Sequence, residues 1–197
     1  MIKGLAGGVA LFLMSSVCHA DIYTLDTDPS GTLGSSPFGT ITTTVVGNNL
    51  DVTVDVSPNF DIDTGAHWAL TMDLATSGLS ITGLSSPFFQ ASGSSFANAP
   101  FSGPWNYAIG CSGGGQGQNS CGDTSMFSFE VLGAGALSPL LVDNVAFAVD
   151  IYDKQTGLTG VVGANPPVSE TPLPAAMALF GTGLIGLGGL LRGRRRR

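Results

Sequence analysis

The chain has 197 residues with a formal net charge of −7, and only 11% of its residues are charged. Between residues 21 and 170 the imbalance is larger, because this part holds all 14 acidic residues and Lys154 as its single basic residue. Nucleic acids and anionic lipids bind to clustered Lys and Arg, so the composition excludes both as partners of this region. Divalent cations and neutral glycans are compatible with it.

The first 20 residues have the three parts of a secretory signal peptide. Lys3 provides the charged start, and residues 5–14 are apolar. A stretch of small residues ends at Ala20, which suits cleavage before Asp21. We therefore predict that residues 1–20 are removed during export and that the mature chain begins at Asp21.

Residues 21–164 consist of short runs rich in Thr, Val and Phe that are separated by Gly, Asn, Ser and Pro, a pattern typical of β-strands and turns. Residues 40–46 and 50–56 flank Gly47-Asn48-Asn49 and predict a hairpin. In the second run, valines alternate with polar residues, which predicts one buried and one solvent-exposed face. Further strands are predicted over residues 68–74, 79–84, 105–111, 125–132 and 144–151, the last of them half-buried.

No segment of this region has a convincing helical period, so we predict an all-β fold. The expected architecture is an antiparallel β-sandwich ectodomain, similar to a jelly roll, with about eight strands. Residues 87–104 are interpreted as a long loop whose phenylalanines cap the core, with stacking on sugar rings as the alternative. Residues 165–170 form a Pro-rich spacer.

Cys111 and Cys121 are the only cysteines of the predicted mature chain, because Cys18 lies in the signal peptide. The residues between them are rich in Gly, Gln and Ser and can bring the two thiols together. In an oxidising compartment we therefore predict a disulfide between them. A zinc site is disfavoured, since it needs four ligands and the mature chain offers only His67 besides the cysteines.

Catalytic motifs are poorly matched. Residues 110–114 fit the G-x-S-x-G pattern of hydrolases, but a Gly-rich stretch follows where the nucleophile elbow requires a helix. His67 is the only histidine of the predicted mature chain, and we interpret it as structural. No spacing singles out the two opposed carboxylates of a glycosidase. We therefore predict that the protein is not an enzyme, with a secreted carbohydrate-active protein as the alternative.

Two pairs of aspartates are candidate calcium ligands. Asp26 and Asp28 precede a turn glycine, and Asp61 and Asp63 precede another. Carboxylate oxygens suit Ca²⁺, but neither segment has the glutamate that an EF-hand loop requires at its twelfth position. We favour solvated acidic loops for both pairs and predict no cofactor, with calcium as the alternative.

The last 27 residues, 171–197, differ in composition from the rest of the chain. Residues 175–191 are uncharged and, as a single transmembrane helix, would span about 26 Å. The arginines after this run predict a cytoplasmic end. A Pro-x-Pro segment directly before it predicts an extended entry into the membrane. The residues concerned are Thr171, Pro172, Leu173, Pro174 and Ala175 at the start of this segment, and Arg192, Arg194, Arg195, Arg196 and Arg197 after the helix.

This three-part ending resembles the PEP-CTERM sorting signals of Gram-negative bacteria, in the subtype with Val-Pro-Leu-Pro-Ala before the helix. Leu173 stands where the name-giving motif has Glu, and Thr171 stands where the subtype has Val. The resemblance implies recognition by an exosortase in the inner membrane and release of the tail on the way to the surface. Residues 63–74 and 145–164 are also similar to segments of ectodomains that carry this tail, which implies a β-rich fold.

Together these features predict an exported protein that passes through an inner-membrane intermediate to the cell surface or to the extracellular matrix of a biofilm. We expect a structural or adhesive role there. The expected partners are an exosortase and the inner membrane during export, and exopolysaccharide or other matrix proteins afterwards. Two alternatives stay open: a secreted carbohydrate-active or carbohydrate-binding protein, and a periplasmic domain tethered to the membrane.

Overall fold

The computed structural model describes residues 20–63, 67–91, 95–111, 121–135 and 137–167. Thirteen β-strands occur in these ranges, and they contain no helix. All paired strands are antiparallel, so the predicted all-β antiparallel fold is confirmed. The strands are β1 Ala20–Thr27, β2 Gly39–Val46, β3 Asn49–Val56, β4 Phe60–Ile62, β5 Leu70–Met72, β6 Ile81–Thr82, β7 Phe88–Ala91, β8 Phe96–Asn98, β9 Phe101–Trp105, β10 Tyr107–Cys111, β11 Met126–Val131, β12 Phe147–Asp153 and β13 Thr159–Asn165.

Most of the predicted terminal segments lie outside the described residues. This applies to the signal peptide up to residue 19, the sorting motif at 171–175, the membrane helix at 175–191 and the arginine tail at 192–197. Within the described ranges, no helix has the length and apolarity needed to cross a bilayer. The assignments made for these segments therefore stay predictions.

Eleven of the strands form one sheet that curves around the main core. Ten of them follow the order β6-β11-β3-β2-β1-β13-β12-β5-β10-β7, and β4 pairs with β12 beside this path. The two edge strands approach each other, because the Ile81 N–H donates to the side-chain Oε1 of Gln90 at 3.0 Å. The ring of Phe88 also stacks on that of Phe127, with centroids 4.3 Å apart. The sheet is therefore nearly closed.

The predicted hairpin is confirmed as β2 and β3. Val46 and Asn49 are its last paired residues, so Gly47 and Asn48 form a two-residue turn. Gly47 has a φ of +64°, a value that glycine adopts without steric cost. The valines of β3 are buried and its alternate polar residues face outward, as the alternation predicts.

A second, smaller hydrophobic cluster lies between β12–β13 and the two-stranded sheet of β8 and β9. Phe101 and Trp105 of β9 pack there against Val145, Ala148 and neighbouring apolar side chains. As a result, the prediction that β12 is half-buried is wrong. Ala148, which was expected to face outward, is as fully buried as the core-facing side chains of β12, because β9 covers that face of the strand.

The interpretation of residues 87–104 as a long loop is also wrong, since they contain β7, β8 and most of β9. A core role is confirmed for Phe88 and Phe101, which are buried, and Phe96 packs edge-to-face on Trp68. Phe89 is 42% exposed and is the one phenylalanine of this segment with a largely open side chain in the described structure. The aromatic side chains therefore serve mainly to join β7–β9 to the sheet.

Candidate functional site

The predicted disulfide is present between Cys111 and Cys121, whose Cα atoms are 5.2 Å apart. Cys111 ends β10, and both cysteines are buried. Cys111 is the second residue of the G-x-S-x-G match, and the serine of that match, Ser112, lies outside the described ranges. The cysteines thus pin the end of β10 to the segment that leads into β11.

Ala20 and Asp21, which flank the predicted cleavage site, are the first two residues of β1. Ala20 pairs with Thr44, and Asp21 pairs with Thr43.

The first aspartate pair does not converge on a common point. Asp28 accepts hydrogen bonds at Oδ1 from the backbone N–H of Ser30 (2.9 Å) and at Oδ2 from that of Leu33 (3.0 Å). Burial would raise the pKa of Asp28, but hydrogen bonds from Ser30, Leu33 and Gly31 outweigh it and leave the pKa lowered. The exposed Asp26 accepts instead from the side chain of Asn165 at 2.6 Å. Each carboxylate therefore accepts hydrogen bonds from its own set of neighbouring residues.

The second aspartate pair lies at the junction of β4 and β12, where a third carboxylate joins it. Asp61 pairs with Tyr152 across the two strands, and the Asp63 N–H donates to the backbone carbonyl of Asp150 at 3.0 Å. Side chains that stand opposite each other in an antiparallel pair have Cβ atoms about 5 Å apart. Asp63 and Asp150 are therefore cross-strand neighbours, and Asp61 lies on the same face.

These three carboxylates are almost completely buried, with 3%, 0% and 1% of Asp61, Asp63 and Asp150 exposed. Lys154 Nζ lies 2.9 Å from Asp61 Oδ1 and offsets that charge. Burial, and then the charge of Asp63, raise the pKa of Asp150 to about 7, although a hydrogen bond from the Ile151 backbone lowers it. Oδ1 of Asp150 has no hydrogen-bond partner among the described residues.

The segment that follows Asp63 is held by a buried asparagine. The side chain of Asn98 accepts from the Trp68 N–H (3.1 Å) and donates to the Trp68 carbonyl (3.2 Å). It also contacts Thr71 Oγ1 and the Ala148 carbonyl. His67 is half-buried in the bend just before Trp68. The carboxylates of Asp63 and Asp150 are buried, so a sugar ring cannot reach them. The two carboxylates of a glycosidase must flank the bond that is cleaved, and this pair therefore does not fit that role.

The outward surface of β1, β2, β3 and β11 forms a second candidate site, which we call the hydroxyl face. Cross-strand neighbours on it include Thr42, Thr53 and Ser128 in one row. In the next row Thr44, Asp51 and Glu130 follow one another. The polar residues of the hydroxyl face are Thr24, Thr40, Thr42, Thr44, Asp51, Thr53, Asp55, Ser128 and Glu130, and the exposed apolar side chains of Ile22, Val46 and Met126 lie among them.

A shallow cleft of about 370 Å³ lies at the β6 side of this face. Its polar lining includes Asp51, Thr53, Ser128 and Glu130, with Gly83 after β6 at its border. Two hydrogen bonds orient the carboxylate of Glu130, one from Asn49 Nδ2 (2.7 Å) and one from Thr82 Oγ1 (3.3 Å). The cleft therefore presents fixed hydrogen-bond acceptors and hydroxyl groups to solvent.

Comparison of the chain with protein-family models, with curated proteins and with solved structures gave no match.

Sequence reasoning missed both Asp150 and the cleft. In the stretch Val145 to Ile151, alanines rather than polar residues alternate with the large apolar ones, which is a signal that both faces are covered. An aspartate in that alternation is therefore expected to be buried. Ser128 and Glu130 alternate with Phe127 and Phe129, a pattern that places them on the outward face.

Proposed function

We propose that the protein is sorted by an exosortase and serves as a structural or adhesive module at the cell surface or in the extracellular polysaccharide matrix. The observation that carries this proposal is the hydroxyl face. Four adjacent strands present hydroxyl and carboxylate groups there, beside the exposed Ile22, Val46 and Met126, and none of its residues is basic. Such a surface forms hydrogen bonds with the hydroxyl groups of neutral sugars and repels anionic polymers.

The Cys111–Cys121 disulfide supports export, because such bonds persist in oxidising compartments. The finer architecture that we propose is a β-sandwich similar to a jelly roll. The approach of the edge strands β6 and β7, together with the apolar layer between β9 and β12, supports that assignment.

The proposed processing is tested by mass spectrometry of the native protein from the extracellular fraction. We expect an N-terminus at Asp21 and loss of the segment after about Thr171. An arginine tail still attached to extracellular protein would contradict sorting by cleavage. An intact tail confined to the membrane fraction would support the tethered periplasmic alternative instead.

Contact with glycans is tested separately with a variant that blocks the cleft. Ser128 is exposed in the cleft lining, so Ser128→Trp fills the cleft without removing a core side chain. Gln155→Trp, in the loop after β12, adds the same ring elsewhere and is the control. We expect retention of neutral exopolysaccharide by the full-length chain and by the control, and loss of retention by Ser128→Trp. Equal retention by both variants would exclude the cleft as the contact site.

A glycosidase screen on the same samples addresses the carbohydrate-active alternative. The described structure has a second cleft, of about 290 Å³, whose lining includes Asp153 and Gln155. Turnover that survives in Ser128→Trp but is lost in Gln155→Trp would favour an enzyme with its site in that second cleft. Silence in both the binding and turnover assays would favour a passive matrix role.

A further inference from the structure

The ring of Phe89 lies on the outer surface of the sheet, over a glycine of the neighbouring strand. Phe89 of β7 pairs directly with Gly110 of β10, so its side chain stands on the side of the sheet where Gly110 has none. This side is the outer one, because Phe88 and Ile109, the preceding residues of the two strands, belong to the main core. With 42% of Phe89 exposed, the structure presents an aromatic ring to solvent at this point.

Two more aromatic rings extend this surface, and we call Phe89, Trp68 and Phe96 the aromatic ledge. A Cβ added at Gly110 would stand 2.9 Å from Cζ of Phe89 and 3.2 Å from Cζ3 of Trp68, so both rings lie against the same point of β10. The half-buried Phe96 packs edge-to-face on Trp68, with ring centroids 5.3 Å apart. Asn98 fixes the backbone of Trp68 through its N–H and its carbonyl. The rings are therefore held in place before any ligand arrives.

The size and the charge of the surroundings restrict what can cover the aromatic ledge. A stable protein partner buries about 800 Å² on each side, whereas a whole aromatic side chain offers about 150–250 Å². Phe89, the most open ring of the ledge, exposes less than half of its surface. Anionic ligands are disfavoured, because residues 21–170 contain 14 acidic residues and a single lysine. A small ligand with a flat apolar face and no negative charge meets both conditions.

We propose that the aromatic ledge binds a neutral pyranose ring, which stacks its apolar C–H face on Phe89 and Trp68. His67 and Ser95 directly precede Trp68 and Phe96, and the first is half-buried while the second is exposed. Their imidazole and hydroxyl groups offer hydrogen-bond partners to the hydroxyl groups at the edge of a sugar. The inference rests on the proposed function in one respect, namely that the matrix polymer is a neutral glycan.

The aromatic ledge is a second contact for such a polymer, separate from the hydroxyl face. The ledge lies over β7 and β10, whereas the hydroxyl face belongs to β1, β2, β3 and β11. Two weak contacts on one molecule retain a long polymer far better than either contact alone. Loss of either site should therefore abolish retention of the polymer, while a short oligosaccharide binds to the ledge on its own.

The test is a titration of the full-length chain with short neutral sugars, followed by tryptophan fluorescence. The chain has two tryptophans, and Trp105 is completely buried, so a ligand at the surface is reported by Trp68. The probes are cellohexaose, maltohexaose and mannohexaose, each added up to about 10 mM, which covers dissociation constants of about 1 mM. We expect a saturable change with at least one of the three sugars.

Phe89→Ala removes an exposed ring and should weaken sugar binding about tenfold. Leu141→Ala, which also removes an exposed apolar side chain but between β11 and β12, should bind like the unmodified chain. Gly110→Ala keeps both rings and displaces them with its Cβ, so it should weaken binding as well. Thermal unfolding of each variant checks that the fold is retained.

The proposal would be overturned by a chain that responds to none of the three sugars, or by equal responses in Phe89→Ala and Leu141→Ala. A response to choline chloride that replaces the response to sugars would also overturn it, because the ledge would then be a site for cations. Failure of the hydroxyl face looks different: the sugar response persists, and Ser128→Trp retains as much polymer as Gln155→Trp. Retention lost in Ser128→Trp without any response of Trp68 would refute the aromatic ledge alone.

Discussion

Replacing Asp150 with asparagine should remove a pH dependence of stability that comes from the burial of its carboxyl group. Burial and the charge of Asp63 raise the pKa of Asp150 from 3.8 to about 7 in the folded state. The pKa of Asp150 is higher in the folded state than in the unfolded state, so protonation of this carboxyl group favours folding. This contribution to stability is complete below about pH 4 and is lost as the pH rises towards 7. Above that range the carboxyl group of Asp150 is ionised in both the folded and the unfolded state, and the free energy of unfolding no longer changes with its titration.

The size of this effect follows from the difference between the two pKa values. A difference of about three pKa units corresponds to about 4 kcal/mol over the whole range, because one unit is 1.36 kcal/mol. About 2–3 kcal/mol of that loss falls between pH 5 and pH 8. The groups around Asp150 on the same face are Asp63, Asp61 with its partner Lys154, and Tyr152. Asp150→Asn leaves all four in place.

The assay is urea unfolding followed by tryptophan fluorescence at pH 5 and pH 8, with chelator present throughout. We expect the unmodified chain to be about 2–3 kcal/mol less stable at pH 8 than at pH 5 and Asp150→Asn to show a much smaller difference. At pH 8 the variant should be the more stable protein. Parallel pH profiles for the two proteins, or a profile flattened equally by Asp55→Asn, would refute the assignment of the effect to Asp150.

Two further predictions concern packing and the disulfide. A Cβ added at Gly163 would stand 2.5 Å from Cγ1 of Val145 and 2.7 Å from Cζ of Phe101, so Gly163→Ala should lower the free energy of unfolding by about 1–3 kcal/mol. Val145→Ala in the same chain should recover part of that loss, and an additive double variant would contradict the contact. Replacing Cys111 and Cys121 together by alanine should cost about 3 kcal/mol for a loop of ten residues, measured by urea unfolding under oxidising conditions. An unchanged midpoint would show that the bond does not constrain the unfolded chain.

The parts of the fold that depend on neighbouring residues could be predicted from the sequence. The β2–β3 hairpin follows from the turn at Gly47 and from the valine alternation of β3, and both signals lie within the element itself. The disulfide follows from composition in the same way. β1 was missed because the polar run from Asp21 onward shows little apolar alternation, although this strand lies between β2 and β13 in the sheet.

The parts that depend on distant contacts could not be predicted. Whether the outward face of β12 is wet or covered depends on β9, which is far from it in sequence and was interpreted as loop. The pairing of Asp63 with Asp150 likewise exists only because β4 docks on β12. The alternation of alanines with large apolar residues between Val145 and Ile151 indicates that Asp150 is buried, but no local pattern indicates that Asp63 lies opposite it.

The position of Lys154 links the two candidate sites through charge. As the single basic residue between residues 21 and 170, it is committed to the buried Asp61 and is absent from the hydroxyl face. A lysine on that face would attract anionic polymers and would compete with sugar hydroxyls for Asp51 and Glu130. The one amine at the β4–β12 junction therefore lowers the charge of a buried cluster, and it leaves the hydroxyl face without a basic side chain. If the proposed glycan contact is made by the hydroxyl face, Thr53→Lys in the middle of that face should increase retention of anionic polysaccharide relative to neutral polysaccharide in the same binding assay.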